Sequence, residues 1–506
     1  MSWILFLVYF FIFLLVIRKL KLNKYKVINH QILYIIFITK IFVGILLNIV
    51  YSEYYQNRNT SDIFKYFDDS KHIHKSFENN PIHFFQLITG INDENPQLEI
   101  YTDSTSHWKY QTSDFSNLTL TTYTTFSNHR TVTKFNAIAR IFSLGNINIH
   151  VLFMSFLSLL GCILIFKSFY KFISINNLKI YMVIIFLTPS FLIWTSGILK
   201  EGLIFLAFGL YFYSLFKLSK NYIKNILILL ISILLIFILK YYLLFIVIPL
   251  TFLFLIPCKT NILTLTKYVL FFLSFVFIFN FSDEFKNLII QQISNKRLSK
   301  ERTSLGGYYY LQFNKNNIHR LVRFDNPLES VKTNKKTKIK SDITFLEAKK
   351  ELSYQVFSLD FNKDTLLTTS EYKYYFLDSN KKAGSYYQLP KIEKSFIGFS
   401  KSILIAISNV FFKPFKFFEG SLLLRLASFE NFLFLIFIVF LFLKRKISVV
   451  NLNVLLFNFF FITMLYSIIG LTVPVVGGIV RYKIMGFLLL LISLIMIFDK
   501  KTDFVK

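Results

Sequence analysis

The residues of this chain with the most chemical potential are acidic and basic side chains in short polar stretches between long apolar runs. The first stretch reads Ser61-Asp62-Ile63-Phe64-Lys65-Tyr66-Phe67-Asp68-Asp69. Ser61 is a good helix N-cap. On a helix starting at Asp62, the residues Asp62, Tyr66 and Asp69 share one face at i, i+4 and i+7, while Asp68 points elsewhere. A carboxylate face of this kind can bind a divalent cation or take a proton from an acceptor hydroxyl. The plainer reading is a solvated helix start whose acids suit the positive end of the dipole.

The second stretch, Thr188-Pro189-Ser190-Phe191-Leu192-Ile193-Trp194-Thr195-Ser196-Gly197-Ile198-Leu199-Lys200-Glu201-Gly202, interrupts an apolar run that continues on both sides. Proline and glycine allow the chain to turn back there, which places Lys200 and Glu201 at a membrane boundary. Ionisable residues at that depth are costly and point to function, although capping of the following helix explains them as well. A third stretch carries Arg130, Lys134 and Arg140 toward the next apolar run, with phosphate or headgroup contact as their chemistry. A fourth, Lys413-Pro414-Phe415-Lys416-Phe417-Phe418-Glu419-Gly420, is followed by Arg425 and Glu430-Asn431. Its basic, proline-broken, aromatic character suggests an interfacial or re-entrant element. The fifth is Gly477-Gly478-Ile479-Val480-Arg481-Tyr482-Lys483. Arg481 keeps its charge and has the planar fork that grips phosphate, and the glycines permit close approach of a ligand. A snorkelling arginine beside an interfacial tyrosine is the plainer alternative.

These stretches must be held by a membrane scaffold. Of the 506 residues 54% are hydrophobic and 19% aromatic, which excludes an ordinary soluble domain. The formal charge of +29 does not imply nucleic acid, because the lysines lie between apolar runs and in one long loop. Cys162 and Cys258 have neither disulfide nor metal spacing.

The expected fold is all-α, a polytopic bundle of about eleven spans, long enough by the usual twenty-residue measure or close to it. They cover 3–17, 31–50, 149–166, 178–194, 203–216, 223–239, 241–257, 263–281, 432–443, 449–471 and 484–498. The first is expected to be retained, because its basic residues follow the apolar run instead of preceding it. Five short basic loops, beginning at Arg18, Lys167, Lys217, Lys259 and Lys444, fall on one side in an alternating count. The positive-inside rule makes that side cytoplasmic, with the N-terminus outside and the C-terminus inside. All five polar stretches then fall on the outer face. Three regions are expected: a membrane bundle over 1–281 with an outer loop at 51–148, an extracytoplasmic insertion at 282–398, small and partly helical, and a membrane region over 399–506.

The chain carries no phosphate loop, dinucleotide fingerprint, zinc motif or serine elbow. The pattern instead resembles the polytopic membrane proteins of bacterial surface-polysaccharide clusters, most closely the type C glycosyltransferases. The resemblance rests on Asp62…Asp68-Asp69, on Pro189-Ser190…Trp194…Ser196-Gly197…Lys200-Glu201, on Lys413-Pro414-Phe415…Glu419…Glu430-Asn431, and on Arg481-Tyr482. It differs in the extra span before the acidic loop and in the position of the main insertion. The resemblance implies transfer of a sugar from a polyprenyl-phosphate donor at the outer face of the bacterial cytoplasmic membrane, during surface glycan assembly. Asp62 or Asp69 would act as base or metal ligand, with Asp68 beside them. Lys200 and Arg481 would contact the phosphate, and Glu201, Arg130, Arg140, Lys413, Glu419 and Tyr482 would complete the substrate site. The expected partners are a polyprenyl-linked sugar or oligosaccharide and membrane lipids. A polysaccharide polymerase or ligase would use the same contacts. A transporter or a structural membrane partner would need no chemistry.

Overall fold

The computed structural model describes residues 2–22, 25, 27–55, 58, 61–92, 95–106, 128–313, 319–324, 345–347, 355–356, 373–393, 395–415, 417, 420–443 and 451–498. Seven helical runs among them are long and apolar enough to cross a membrane: His30–Tyr54, Ile147–Phe172, Ile175–Ser196, Tyr222–Leu255, Asn261–Phe281, Leu422–Leu443 and Leu452–Thr472. The pair Val476–Tyr482 and Ile484–Ile497, bent by 56°, makes an eighth if it is one span. The chain is therefore a polytopic helical membrane protein.

The difference from eleven has three sources. Ser2–Arg18 and Lys200–Leu215 hold only 17 and 16 residues, short of the roughly 20 that a bilayer asks for. The stretch expected as two spans at 223–239 and 241–257 is one helical run of 34 residues. That run nevertheless folds back at Lys240, where the backbone leaves the helical region at φ −153° and ψ 80°. Near the start of the run Asn225 donates to the Lys217 carbonyl, and near its end the Phe254 ring meets Phe216, so both ends reach the foot of Lys200–Leu215. Lys240 itself reaches Glu201 at the head of that same helix.

The centre of the bundle is the pairing of Ile147–Phe169 with Lys200–Leu215. Gly161 and Gly209 face each other there, and a Cβ on Gly161 would stand 2.5 Å from the Phe205 carbonyl oxygen. Small residues let the two backbones touch, as membrane helices do in the absence of a hydrophobic driving force between them. Burial follows this layout: 78% of the best window in Ile147–Phe172 is buried against 17% in Asn261–Phe281. The first is core and the second faces outward.

The insertion departs from the all-α expectation. It begins with the helix Asp283–Ser304 and continues into an antiparallel sheet of five strands, β1 (Gly307–Phe313), β2 (His319–Phe324), β3 (Phe345–Glu347), β4 (Gln355–Val356) and β5 (Lys373–Asn380), in the order β3-β5-β1-β2-β4. Aromatic residues such as the Tyr308–Tyr310 run favour strands. After β5 the chain returns to the membrane region. Tyr386 bridges Val475, the Tyr387 amide donates to the Pro474 carbonyl at 2.9 Å, and the Val476 amide donates to the Ser385 carbonyl at 3.0 Å. Arg297 fixes the Asp283–Ser304 helix to the same return segment through the Pro390 carbonyl at 2.7 Å. The element expected to be interfacial or re-entrant, over 399–418, is in the structure a helix only over Phe396–Phe412, which ends at Lys413.

Candidate functional site

One site gathers residues from both ends of the chain. Arg481 is its hub: Nη1 lies 2.7 Å from Asp62 Oδ2, and Nε lies 2.9 Å from Glu201 Oε2. Lys240 Nζ approaches the other oxygen of Glu201 at 3.5 Å. The Nε contact with Glu201 is an ion pair without hydrogen-bond geometry, so attraction between charges carries it. Side-chain exposure separates the two carboxylates. Glu201 is 1% exposed and Asp62 36%, so Asp62 is the acid open to an incoming molecule.

Helix ends explain why these residues sit together. Asp62 and Glu201 occupy first turns, where the dipole favours an anion, while Lys240 and Arg481 occupy last turns, where it favours a cation. Four helices thus meet with complementary ends. Lys200, buried beside Glu201, lies 6.0 Å from the ring of Tyr66, one turn after Asp62. The Tyr66 hydroxyl in turn meets His129 Nδ1 at 2.9 Å. Burial alone would push the Asp62 carboxyl up. Arg481 above all, then His129 and Lys200, outweigh it and hold the group well below the usual carboxylate range.

Tyr482 forms the far wall, with Lys240 Nζ 4.6 Å and Lys300 Nζ 5.1 Å from its ring centre. Lys300 comes from the insertion. Burial of its amine, then the ammoniums of Lys296, Lys240 and Lys200, pull its pKa down to about 7. Behind Glu201 a cavity of about 10 Å³, room for a single water, is lined by Lys240, Tyr242 and Tyr482 among others.

The polar turn before Lys200 is held from outside. Lys40, buried in the His30–Tyr54 helix, donates to Thr195 Oγ1 at 2.6 Å. Glu430 Oε2 accepts from the Ser190 amide at 2.9 Å and from its hydroxyl at 2.7 Å. The hydroxyls of the turn therefore position Lys200 and Glu201 and leave the ion cluster to those two residues.

Of the residues singled out in the sequence, Asp62, Lys200, Glu201, Arg481 and Tyr482 converge. Asp68 does not: it forms an exposed fork with Arg58 at 2.9 and 3.0 Å. Asp69 is buried two turns from Asp62 and accepts from the Ser106 amide at 2.8 Å. The face shared by Asp62 and Tyr66 leads into the site, but by Asp69 the helix has left it. Arg140 is committed to helix packing, donating to Ser70 Oγ at 2.7 Å and the Phe67 carbonyl at 2.6 Å over the Phe67 ring. Arg130 is buried one position after His129. Lys413 lies 3.5 Å from the ring centre of Tyr387, and its carbonyl accepts from Lys483 Nζ at 2.8 Å. Glu419 and Lys416 lie outside the described residues.

Sequence reading assigned no role to Lys240, Lys300 or His129. Lys240 had a signal, since it is a charge in the middle of a long apolar run. Lys300 had none, standing in an insertion full of lysines. For a divalent cation, no group of three His, Cys, Asp or Glu side chains is close enough among the described residues, and the open acid, Asp62, is already paired to Arg481. No family model, curated protein or solved structure matches the chain.

Proposed function

We propose that this protein is an integral membrane glycosyltransferase, moving a glycosyl group from a polyprenyl-phosphate-linked donor to an acceptor hydroxyl at the outer face of the bacterial cytoplasmic membrane in surface glycan assembly. One observation carries the reading: a buried cluster richer in cations than in carboxylates, with a single carboxylate, Asp62, open to the outside. Buried cations without matching anions are costly, and a ligand phosphate supplies what is missing.

The sidedness belongs to the same reading. Lys167 reaches the Lys21 carbonyl, and Lys171 lies 5.9 Å from the Phe216 ring, so the basic loops gather at the bundle end away from Arg481. By the positive-inside rule that end is cytoplasmic, the N-terminus and the insertion are outside, and the C-terminus is inside.

In this mechanism the donor phosphate engages Arg481 and competes with Asp62 for it. Asp62, released from its cation, gains proton affinity at the moment the donor is bound. The acceptor oxygen then bonds to the anomeric carbon as the bond from that carbon to the phosphate oxygen breaks. The hydroxyl proton passes to Asp62, and the lipid phosphate leaves with the bonding electrons, its charge stabilised by Arg481 and the lysines. A single displacement inverts the anomeric centre.

The test is a strain lacking the gene, complemented with Asp62→Asn. Surface glycan is expected to disappear while the protein inserts at normal levels. Glycan made at the wild-type level by that variant would end the proposal. A truncated repeat unit indicates a sugar transferase, and single complete repeats indicate a polymerase.

A further inference from the structure

We infer that the cluster receives a ligand with two adjacent negative charges, a diphosphate diester, and that Lys300 of the insertion completes its binding site. This rests on the reading that the site holds a lipid-linked phosphate, and it narrows which one. Four cationic side chains, Arg481, Lys200, Lys240 and Lys300, come together around two carboxylates, Asp62 and Glu201. With all four protonated, and with the solvent-exposed Lys296 beside Lys300 left aside, the excess is two positive charges, and His129, when protonated, adds to it. A phosphodiester carries one negative charge and a diphosphate diester two, so the second matches the fully protonated site.

The arrangement of the cations agrees with the count. Glu201 is already shared between Arg481 and Lys240, and Asp62 is taken by Arg481. Among the described residues neither Lys200 nor Lys300 has a carboxylate within ion-pair distance, and Lys200 is more than nine-tenths buried. Lys240 and Lys300 reach the same Tyr482 ring from different elements, at 4.6 and 5.1 Å, so two ammonium groups are held near one another, and of the two it is Lys240 that is paired with Glu201. Like charges gathered in a dry site are tolerated where an anion is to sit. The Lys300 amine, weakened by its neighbouring ammoniums, regains full charge once a dianion lies among them.

Lys300 also gives the insertion a place in binding. Its helix is held to the return segment by Arg297, and that segment is hydrogen-bonded to Pro474 and Val476, just ahead of Arg481. The module is thus attached to the site that it completes. A diphosphate donor would favour an enzyme that joins lipid-diphosphate-linked oligosaccharides over one that spends a lipid monophosphate sugar.

The experiment measures binding to the full-length purified protein in lipid nanodiscs. The probes are a polyprenyl diphosphate sugar and a polyprenyl monophosphate sugar of the same chain length, which carry two and one negative charges, and the chain-free diesters dimethyl diphosphate and dimethyl phosphate. Each diphosphate is expected to bind about tenfold or more tightly than its monophosphate counterpart, and Lys300→Gln to remove most of that preference. The lipid pair binding more tightly than the dimethyl pair identifies the lipid as the source of the diphosphate. Lys300→Arg, which keeps the charge, is expected to retain the preference, and an unchanged elution profile shows that the Gln variant is folded. Equal affinities, a preference for monophosphate, or an unaltered preference in Lys300→Gln would each overturn the inference. Monophosphate binding combined with loss of glycan in Asp62→Asn leaves the transferase standing while this inference falls. Failure of every phosphate probe removes both.

Discussion

Arg140 and Arg481 are both buried arginines that tie together helices distant in sequence, and they do opposite things. Arg140 donates to a hydroxyl and a backbone carbonyl of Asp62–Asn79 and lies on the ring of Phe67, so neutral acceptors satisfy it. Nearby, His150 bridges Asn136 and Ser143 in a network of the same kind. Arg481 is held by two carboxylates and surrounded by lysines. A network closed with neutral partners fixes a fold and has nothing left to offer. One assembled from full charges, with cations in excess, is unfinished until something binds.

Substitution at Arg481 should break this contrast most forcefully. Arg481→Ala takes from buried Glu201 the nearer of its two cations, leaving Lys240 alone, and should cost up to about 3–5 kcal/mol of stability as well as abolishing glycan synthesis, read by detergent-resistance of the folded protein and by surface glycan. Replacing the buried group together, Arg481→Met with Glu201→Leu and Lys240→Met, should recover most of the stability and none of the activity; recovery of both would mean that the cluster is structural like its counterpart. Asp62→Asn comes next, with transfer falling by about 10²–10⁴-fold in a reconstituted assay and stability little changed, since this carboxylate is partly solvated. Arg140→Ala should show the reverse pattern: about 1–3 kcal/mol of stability lost in the packing of Asp62–Asn79 on Asn128–Ser143, with activity per folded molecule retained.

The smallest effect is a pH dependence that the Arg140 network lacks. The Lys300 amine is a cation below about 7 and neutral above it, so affinity for an anionic ligand should be greatest at the acid side and decline as pH rises through 7. Asp62, held well below the usual carboxylate range, stays ionised throughout that window and adds no slope of its own. Lys300→Arg should make the decline, measured as ligand affinity between pH 6 and 9, shallower without removing it, since the Lys200 amine is likewise drawn down by burial to about 7.

What the sequence disclosed follows from how each signal arises. The helical membrane character was written in composition and in runs of apolar residues. The helix from Asp62, with Tyr66 on the face of Asp62, follows from a 3.6-residue period, while Ser61, expected to cap it, holds the N-cap position without a side-chain cap bond. That Lys200, Glu201 and Arg481 meet was suggested by a shared membrane side, which narrows a meeting place to a surface. Their ion pairs depend on helix crossings that no local pattern encodes. Arg140 and Arg481 were indistinguishable as basic residues near a membrane, because what separates them is whether a neutral acceptor or a carboxylate stands opposite. Lys300 was hidden among many lysines, and the sheet that follows it, built from strands far apart in the chain, left only the tyrosine run as a trace.

The return segment of the insertion offers a last consequence. Tyr386 and Val475 are joined main chain to main chain, six residues ahead of Arg481. A link that short does not stretch, so the inserted module behaves as a handle on the arginine. A tug or a tilt imposed on it is transmitted to the charged hub with almost no slack.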